Sequence, residues 1–281
     1  MIPGKETTYR VTRDSKKSLG YGTHVKKVYP GTLRMEDSDN YLPVALLKIK
    51  ATSFSPKPYE LLQKVPKSPY LGGRLLYFLT RDEKPDSLYL VQKLLGPPLF
   101  TCCSDSKKFL SGMAHVATGL SILHAHGIVH RDVKPENATE KELFDWDAAC
   151  STEGLHPARG ASFDFYPPEH LVYWHRIKPT HPRIQEQHER LHSWNHAAMV
   201  ALEAAPIEHP YVEDKPVFVF KPSFDTFVFG MQFVRFYNHP STWNEGHPLF
   251  CCKALILSTL DFDETKRPPM ELVSKELFSL I

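Results

Sequence analysis

The sequence predicts an α+β chain, and three observations carry that expectation. Phe109, Leu110, Met113, Val116, Leu120 and Leu123 recur near every third or fourth place, as in a helix over Phe109 to Val129 that buries one face. Ser87 to Gly96 reads Ser-Leu-Tyr-Leu-Val-Gln-Lys-Leu-Leu-Gly, an alternation that suits a half-buried strand. Directly after the helical stretch comes the charged run His130-Arg131-Asp132-Val133-Lys134-Pro135-Glu136-Asn137, and Asp145-Trp146-Asp147 begins eight residues beyond the asparagine.

That run has the composition of a phosphoryl-transfer centre. Such a reaction asks the protein to hold a nucleotide's terminal phosphate, its divalent metal and a nucleophile in line while negative charge spreads. Asp132 would orient the attacking hydroxyl and accept its proton, and Lys134 would neutralise the transferring phosphate. Asn137 with Asp145 would hold the metal through hard oxygen ligands.

The segment resembles the catalytic loop of eukaryotic protein kinases, H-R-D-x-K-P-x-N, followed by a variant of their D-F-G metal-binding motif. The resemblance implies a two-lobed protein-kinase-like fold in a single domain over residues 1–281. A small, mostly antiparallel β lobe with one main helix would span 1–93, and a mainly α-helical large lobe 94–281. It further implies ATP and Mg2+ in the cleft and a protein substrate, with Lys134 favouring serine or threonine as acceptor.

The remaining landmarks follow in chain order. Leu19-Gly20-Tyr21-Gly22-Thr23-His24-Val25 resembles the start of the glycine-rich loop, where Gly20 and Gly22 would let backbone amides approach the phosphates. Val25 stands at the family's third glycine. Val44-Ala45-Leu46-Leu47-Lys48 looks like the strand carrying the phosphate-binding lysine, which makes Lys48 the candidate. Its expected partner is Glu60, on a helix that Pro56 and Pro58 delay. Leu46 occupies the family's small-alanine position unless a strand bulge shifts Ala45 there. Ser87 to Gly96 resembles the last small-lobe strand running into the hinge, where Leu94 would offer backbone groups to adenine.

Beyond Asp145, Ala161-Ser162-Phe163-Asp164-Phe165-Tyr166-Pro167-Pro168-Glu169 is similar to the family's G-T-x-x-Y-x-A-P-E segment, with Ser162 in place of its threonine. Glu169 should then form a buried ion pair with Arg267, which lies in Asp263-Glu264-Thr265-Lys266-Arg267-Pro268. Phe224-Asp225-Thr226-Phe227-Val228-Phe229-Gly230 resembles D-x-W-x-x-G, with Phe227 replacing tryptophan and Asp225 expected to brace the catalytic loop.

Two features depart from the pattern. Several dozen residues separate Glu169 from Asp225 where the family has about a dozen, so an insertion is expected at about 175–220. Within it His188, His192 and His196 repeat every fourth residue and would form one helical stripe. Such a stripe suits zinc ligation or a pH response. With no cysteine nearby and no carboxylate clearly completing a tetrahedral set, the sequence favours a solvated face and a surface for substrate or partner. The second departure is Asp147, which occupies the glycine of D-F-G after a shortened stretch, Ala138 to Phe144. Val25, Leu46 and Asp147 keep an alternative open, a catalytically weak pseudokinase that acts as a nucleotide-binding or protein-binding scaffold.

Composition narrows the class. A 281-residue chain with 42% hydrophobic residues is ample for the core of such a domain. A net charge of +2, without a basic run interleaved with aromatics, argues against nucleic acid. No apolar signal core or run of roughly 20 apolar residues indicates a membrane partner. Five cysteines, four of them in two adjacent pairs, argue against an extracellular disulfide framework, so the expected setting is intracellular, cytoplasmic or nuclear.

Overall fold

The computed structural model describes residues 9–14, 18–19, 25–35, 41–50, 55–81, 84–158, 163–205, 211–212 and 215–281. The chain divides into a small unit, Met1–Gln63 with Gly72–Gly96, and a large unit, Lys64–Leu71 with Pro97–Ile281.

The small unit is built on period-two alternation. Strands β1 (Tyr9–Arg13), β2 (Val25–Met35), β3 (Tyr41–Lys50), β4 (Leu75–Arg81) and β5 (Lys84–Lys93) form one antiparallel sheet in the order β1-β2-β3-β5-β4. Tyr29, Leu46 and Val91 are cross-strand partners in a single row, and with Leu33 and Val44 they make the core of this unit. The β3–β5 register runs from Val44 opposite Lys93 to Lys50 opposite Ser87 without a shift, so no bulge moves Ala45. Leu46 therefore keeps the small-alanine position, on the same strand face as Lys48 two residues on. Helix α1 (Lys57–Gln63) does begin late, after Pro56, and buries Pro58, Tyr59 and Leu62.

The large unit is mainly helical. Its first helix, α2 (Ser106–Ala125), starts on Asp105, whose carboxylate accepts hydrogen bonds from the amides of Lys107 and Lys108. The expected apolar face, Phe109, Leu110, Met113, Val116, Leu120 and Leu123, is buried. The helix ends at Ala125, short of the expected Val129, because Gly127 adopts φ +67° and turns the chain into β6 (Ile128–Val129). β6 pairs with β7 (Cys150–Ser151).

β8 (His156–Pro157) leads to α3 (Pro168–Ile177), and the expected insertion follows as ordered structure: α4 (Pro182–Trp194), α5 (His196–Ala204), β9 (Tyr211–Val212) and β10 (Lys215–Phe218). Ile184, Leu191 and Met199 anchor α4 and α5 with fully buried side chains. β10 pairs on one side with β9 and on the other with β8, so the insertion supplies a strand to the segment between Asp145 and Glu169. Helix α6 (Pro222–Tyr237) runs through the core with Phe224, Phe227, Phe229 and Phe233 buried, each contributing about 1.5–3 kcal/mol of transfer free energy. Phe227 fills its position as an apolar ring beneath the Arg267 guanidinium, 4.9 Å from ring centre to Cζ. Helices α7 (Lys253–Thr259) and α8 (Met270–Ser279) complete the unit, α8 packing on α2 through the Thr118 and Ser274 hydroxyls at 2.7 Å.

Candidate active site

The charged run is held by one carboxylate. Asp225, in the first turn of α6 and fully buried, accepts hydrogen bonds from the amides of His130 (2.7 Å) and Arg131 (2.8 Å), and its Oδ2 lies 3.0 Å from His124 Nε2. Those contacts hold Arg131 at φ +68°, a left-handed conformation that costs a non-glycine residue about 1–3 kcal/mol and persists where surrounding structure imposes it. The buried His130 ring then spans the loop. Its Nδ1 accepts from the Asp132 amide at 3.3 Å, so Nε2 carries the proton donated to the Phe144 carbonyl at 3.0 Å. Burial keeps this imidazole below its usual pKa, as a neutral ring requires.

These fixed backbones position the polar groups. Asp132 Oδ2 receives Lys134 Nζ at 2.6 Å and Asn137 Nδ2 at 2.8 Å, and Asn137 Nδ2 also reaches the Asp132 carbonyl at 2.9 Å. Both cation and amide thus converge on one oxygen, Oδ2. Because Nδ2 of Asn137 is directed at Asp132, its amide oxygen is the end that can face a cation. The neighbouring Glu136 is tied to α6 by a two-pronged pair with Arg235 at 2.6 and 3.0 Å.

The short stretch after Asn137 is a tight turn closed by the Ala138–Leu143 bridge and the Thr139 hydroxyl, which accepts from Lys141 and Glu142 amides. Phe144 N donates to Asn137 O at 2.9 Å, delivering Asp145 to the same loop despite the missing residues. Asp145, like Arg131, has φ +68°. It keeps solvent-accessible surface, yet burial around its carboxyl, followed by the charges of Asp147 and Asp132, pushes its pKa up to about 7. Crowded carboxylates with an asparagine oxygen form a hard-oxygen donor set, and a divalent cation would relieve their repulsion. Trp146 points the other way, fully buried and edge-on to His130 at 5.2 Å, so it anchors the backbone between the two aspartates.

Arg131 links this centre to the following segment. Its guanidinium donates to the carbonyls of Ala148 and, at 2.8 Å, Pro157, and sits 4.6 Å from the Phe220 ring. Farther on, Glu169 meets Arg267 in a two-pronged pair with both contacts at 2.8 Å. Burial alone would raise the Glu169 pKa, but the Arg267 charge and hydrogen bonds hold the carboxyl below the ordinary range.

No family model matches the chain. A probable myosin light chain kinase of Dictyostelium discoideum is 43% identical over 79 residues, 26% of this chain and 25% of that protein. A serine/threonine-protein kinase of Drosophila persimilis is 28% identical over 146 residues, 46% of this chain and 19% of that protein. The serine/threonine-protein kinase PkaB of Streptomyces coelicolor is 50% identical over 46 residues, 16% of this chain and 10% of that protein. These alignments span a quarter or less of each curated relative. The chain is thus similar over part of its length to several kinases.

The chain is a divergent protein-kinase-like domain.

Within this kinase-like domain, Lys48 and Glu60 of the small unit do not form the expected pair. Lys48 is half-buried, with Nζ 6.0 Å from the centre of the Tyr89 ring, its cross-strand neighbour. Among the described residues no ion pair joins it to Glu60. Glu60 is exposed, because the late start of α1 turns Tyr59 and Leu62 inward and leaves position 60 on the outer face. The Leu94 amide already donates to the Pro43 carbonyl at 3.0 Å, so its main-chain donor is occupied within the sheet edge. Gly20, Gly22 and Ser162 lie outside the described residues. Sequence reasoning missed Arg235, Phe220 and Trp146 as supports of the kinase-like loop; an arginine in an apolar helix was the one visible hint, and its partner Glu136 is 99 residues away.

Proposed function

We propose that this kinase-like domain transfers the terminal phosphoryl group of ATP to serine or threonine hydroxyls of protein substrates. One observation carries the reading: Asp132 has one oxygen engaged by both Lys134 and Asn137 and the other open to a hydroxyl. Asp132 Oδ1 orients that hydroxyl and takes its proton, while Lys134 balances the charge that develops beside it. Asn137 and Asp145 are the residues that would hold Mg2+, which supplies charge neutralisation at the phosphates when bound. Lys48 is the candidate phosphate ligand of the small unit.

The test is incorporation of labelled phosphate from ATP into a generic protein substrate. Wild type should label it, and Asp132→Asn should lower the rate by about 10²- to 10⁴-fold, the range for a positioned acid-base group. Equal incorporation by both proteins overturns the reading.

A second reading, nucleotide or protein binding without turnover, is favoured by the exposed Glu60 that leaves Lys48 without its expected partner. Thermal stabilisation by ATP with no incorporation in either protein would select it. For the insertion, an open groove of about 600 Å³ beside α4 supports a substrate-recognition role; Arg183, Glu186 and Arg190 of α4 line it opposite Asp164, Phe165 and Arg235.

A further inference from the structure

The histidine stripe on α4 meets a carboxylate that its own stretch of sequence does not contain. His188 and His192 lie one turn apart on the same face. Asn195 breaks the chain after α4, accepting from the Ala198 amide at 3.1 Å to start α5, and the return helix brings Glu203 back over the stripe. Glu203 Oε1 lies 2.7 Å from His188 Nε2 and 2.7 Å from His192 Nε2. Ligand atoms from the three residues all fall within 4.8 Å of one another.

We propose that His188, His192 and Glu203 bind a zinc ion that fastens α5 to α4. Two imidazoles and one carboxylate are a zinc donor set, whereas Mg2+ and Ca2+ take oxygen ligands. Tetrahedral coordination at 2.0–2.1 Å separates ligand atoms by roughly 3.3 Å, inside the range already present, so small side-chain rotations close the site. The fourth position faces solvent, since Glu203 is about one-third exposed while His188 is nearly buried, which also provides an entry path.

The surroundings fix these side chains as outer partners of metal ligands do. His192 Nδ1 lies 3.1 Å from His196 Nδ1, which orients the ring and gives the third histidine of the stripe a supporting place. The His175 ring stacks on His188 with centroids 3.6 Å apart and planes 11° apart. Arg176 of α3 donates to the carbonyls of Glu203 and Ala205, holding the end of α5 where the carboxylate is needed. Binding free energy at this position would be spent on the α4–α5 corner, and so on the helix that lines the groove.

The experiment uses the full chain, stripped with chelator, and Zn2+ and Co2+ as the only probes. Wild type should bind one equivalent of Zn2+, melt at higher temperature with it, and give the intense visible bands of tetrahedral cobalt when loaded with Co2+. His188→Ala and Glu203→Gln should each weaken zinc affinity at least 100-fold, and His196→Ala by about 10-fold, as for an outer partner. His181→Ala should bind as wild type does. Absence of a stoichiometric site or of tetrahedral cobalt bands in the wild-type chain overturns the proposal without any variant. Undiminished affinity in the His188→Ala, Glu203→Gln double variant overturns it equally.

Discussion

Removing the Asp225 carboxylate would leave the amides of His130 and Arg131, buried beneath the loop, without acceptors. Each orphaned group costs about 1–3 kcal/mol, so Asp225→Ala should lower stability by about 2–6 kcal/mol in urea unfolding and release Arg131 from its left-handed conformation. Glu169 is linked to pH. Its carboxyl is lowered in the fold, so its contribution is present above about pH 4.5, an unfolded glutamate's ordinary value, and disappears as pH falls through the folded value. Glu169→Gln should cost about 3 kcal/mol or more near neutrality, because Arg267 is left buried without its counter-charge. Melting temperatures of the two proteins measured from about pH 7 downward should therefore converge with acid; a constant gap would contradict the linkage.

Among elements, α4 contributes both a face and a corner. If its groove recognises substrate, Arg183→Glu with Arg190→Glu should raise KM for a protein substrate about 10-fold and leave KM for ATP unchanged; equal KM values for the protein substrate would refute that role. The elements also differ in how plainly they were written. α2 was legible because its burial follows the helical period, whereas Asp225 and the Glu169–Arg267 pair were legible through the resemblance of their motifs to those of protein kinases. The Lys48–Glu60 expectation failed on helix phase: with two prolines delaying α1, one residue of offset sends a side chain to solvent. The end of α2 was written in Gly127, a breaker inside the expected span. β8 and β9 were illegible, since two residues carry no periodicity, and Glu203 was invisible as a histidine partner because a break separates the helices.

At the scale of the whole molecule, the thiols report on the packing of the large unit. Cys103, Cys150 and Cys252 are buried, and burial pushes them up to about 11, 12 and 12, while Cys251 is exposed and Cys102 partly so. Brief native alkylation followed by mass spectrometry should mark Cys251 first, then Cys102, with the buried three reacting only in denaturant. Early labelling of Cys150 would mean that the β6–β7 pairing opens readily. No helix among the described residues is long and apolar enough to cross a membrane.

The bond from His130 to Asp225 joins positions 95 residues apart. At about 5–20 residues per second, a ribosome needs roughly 5–20 s to travel from the loop to the residue that braces it. During that interval the nascent loop has its charged side chains but not the Asp225 carboxylate, and β8 likewise waits for β10. The brace of the His130 and Arg131 amides therefore arrives only when α6 emerges, and a chain halted before Asp225 carries the whole charged run without the carboxylate that holds its backbone.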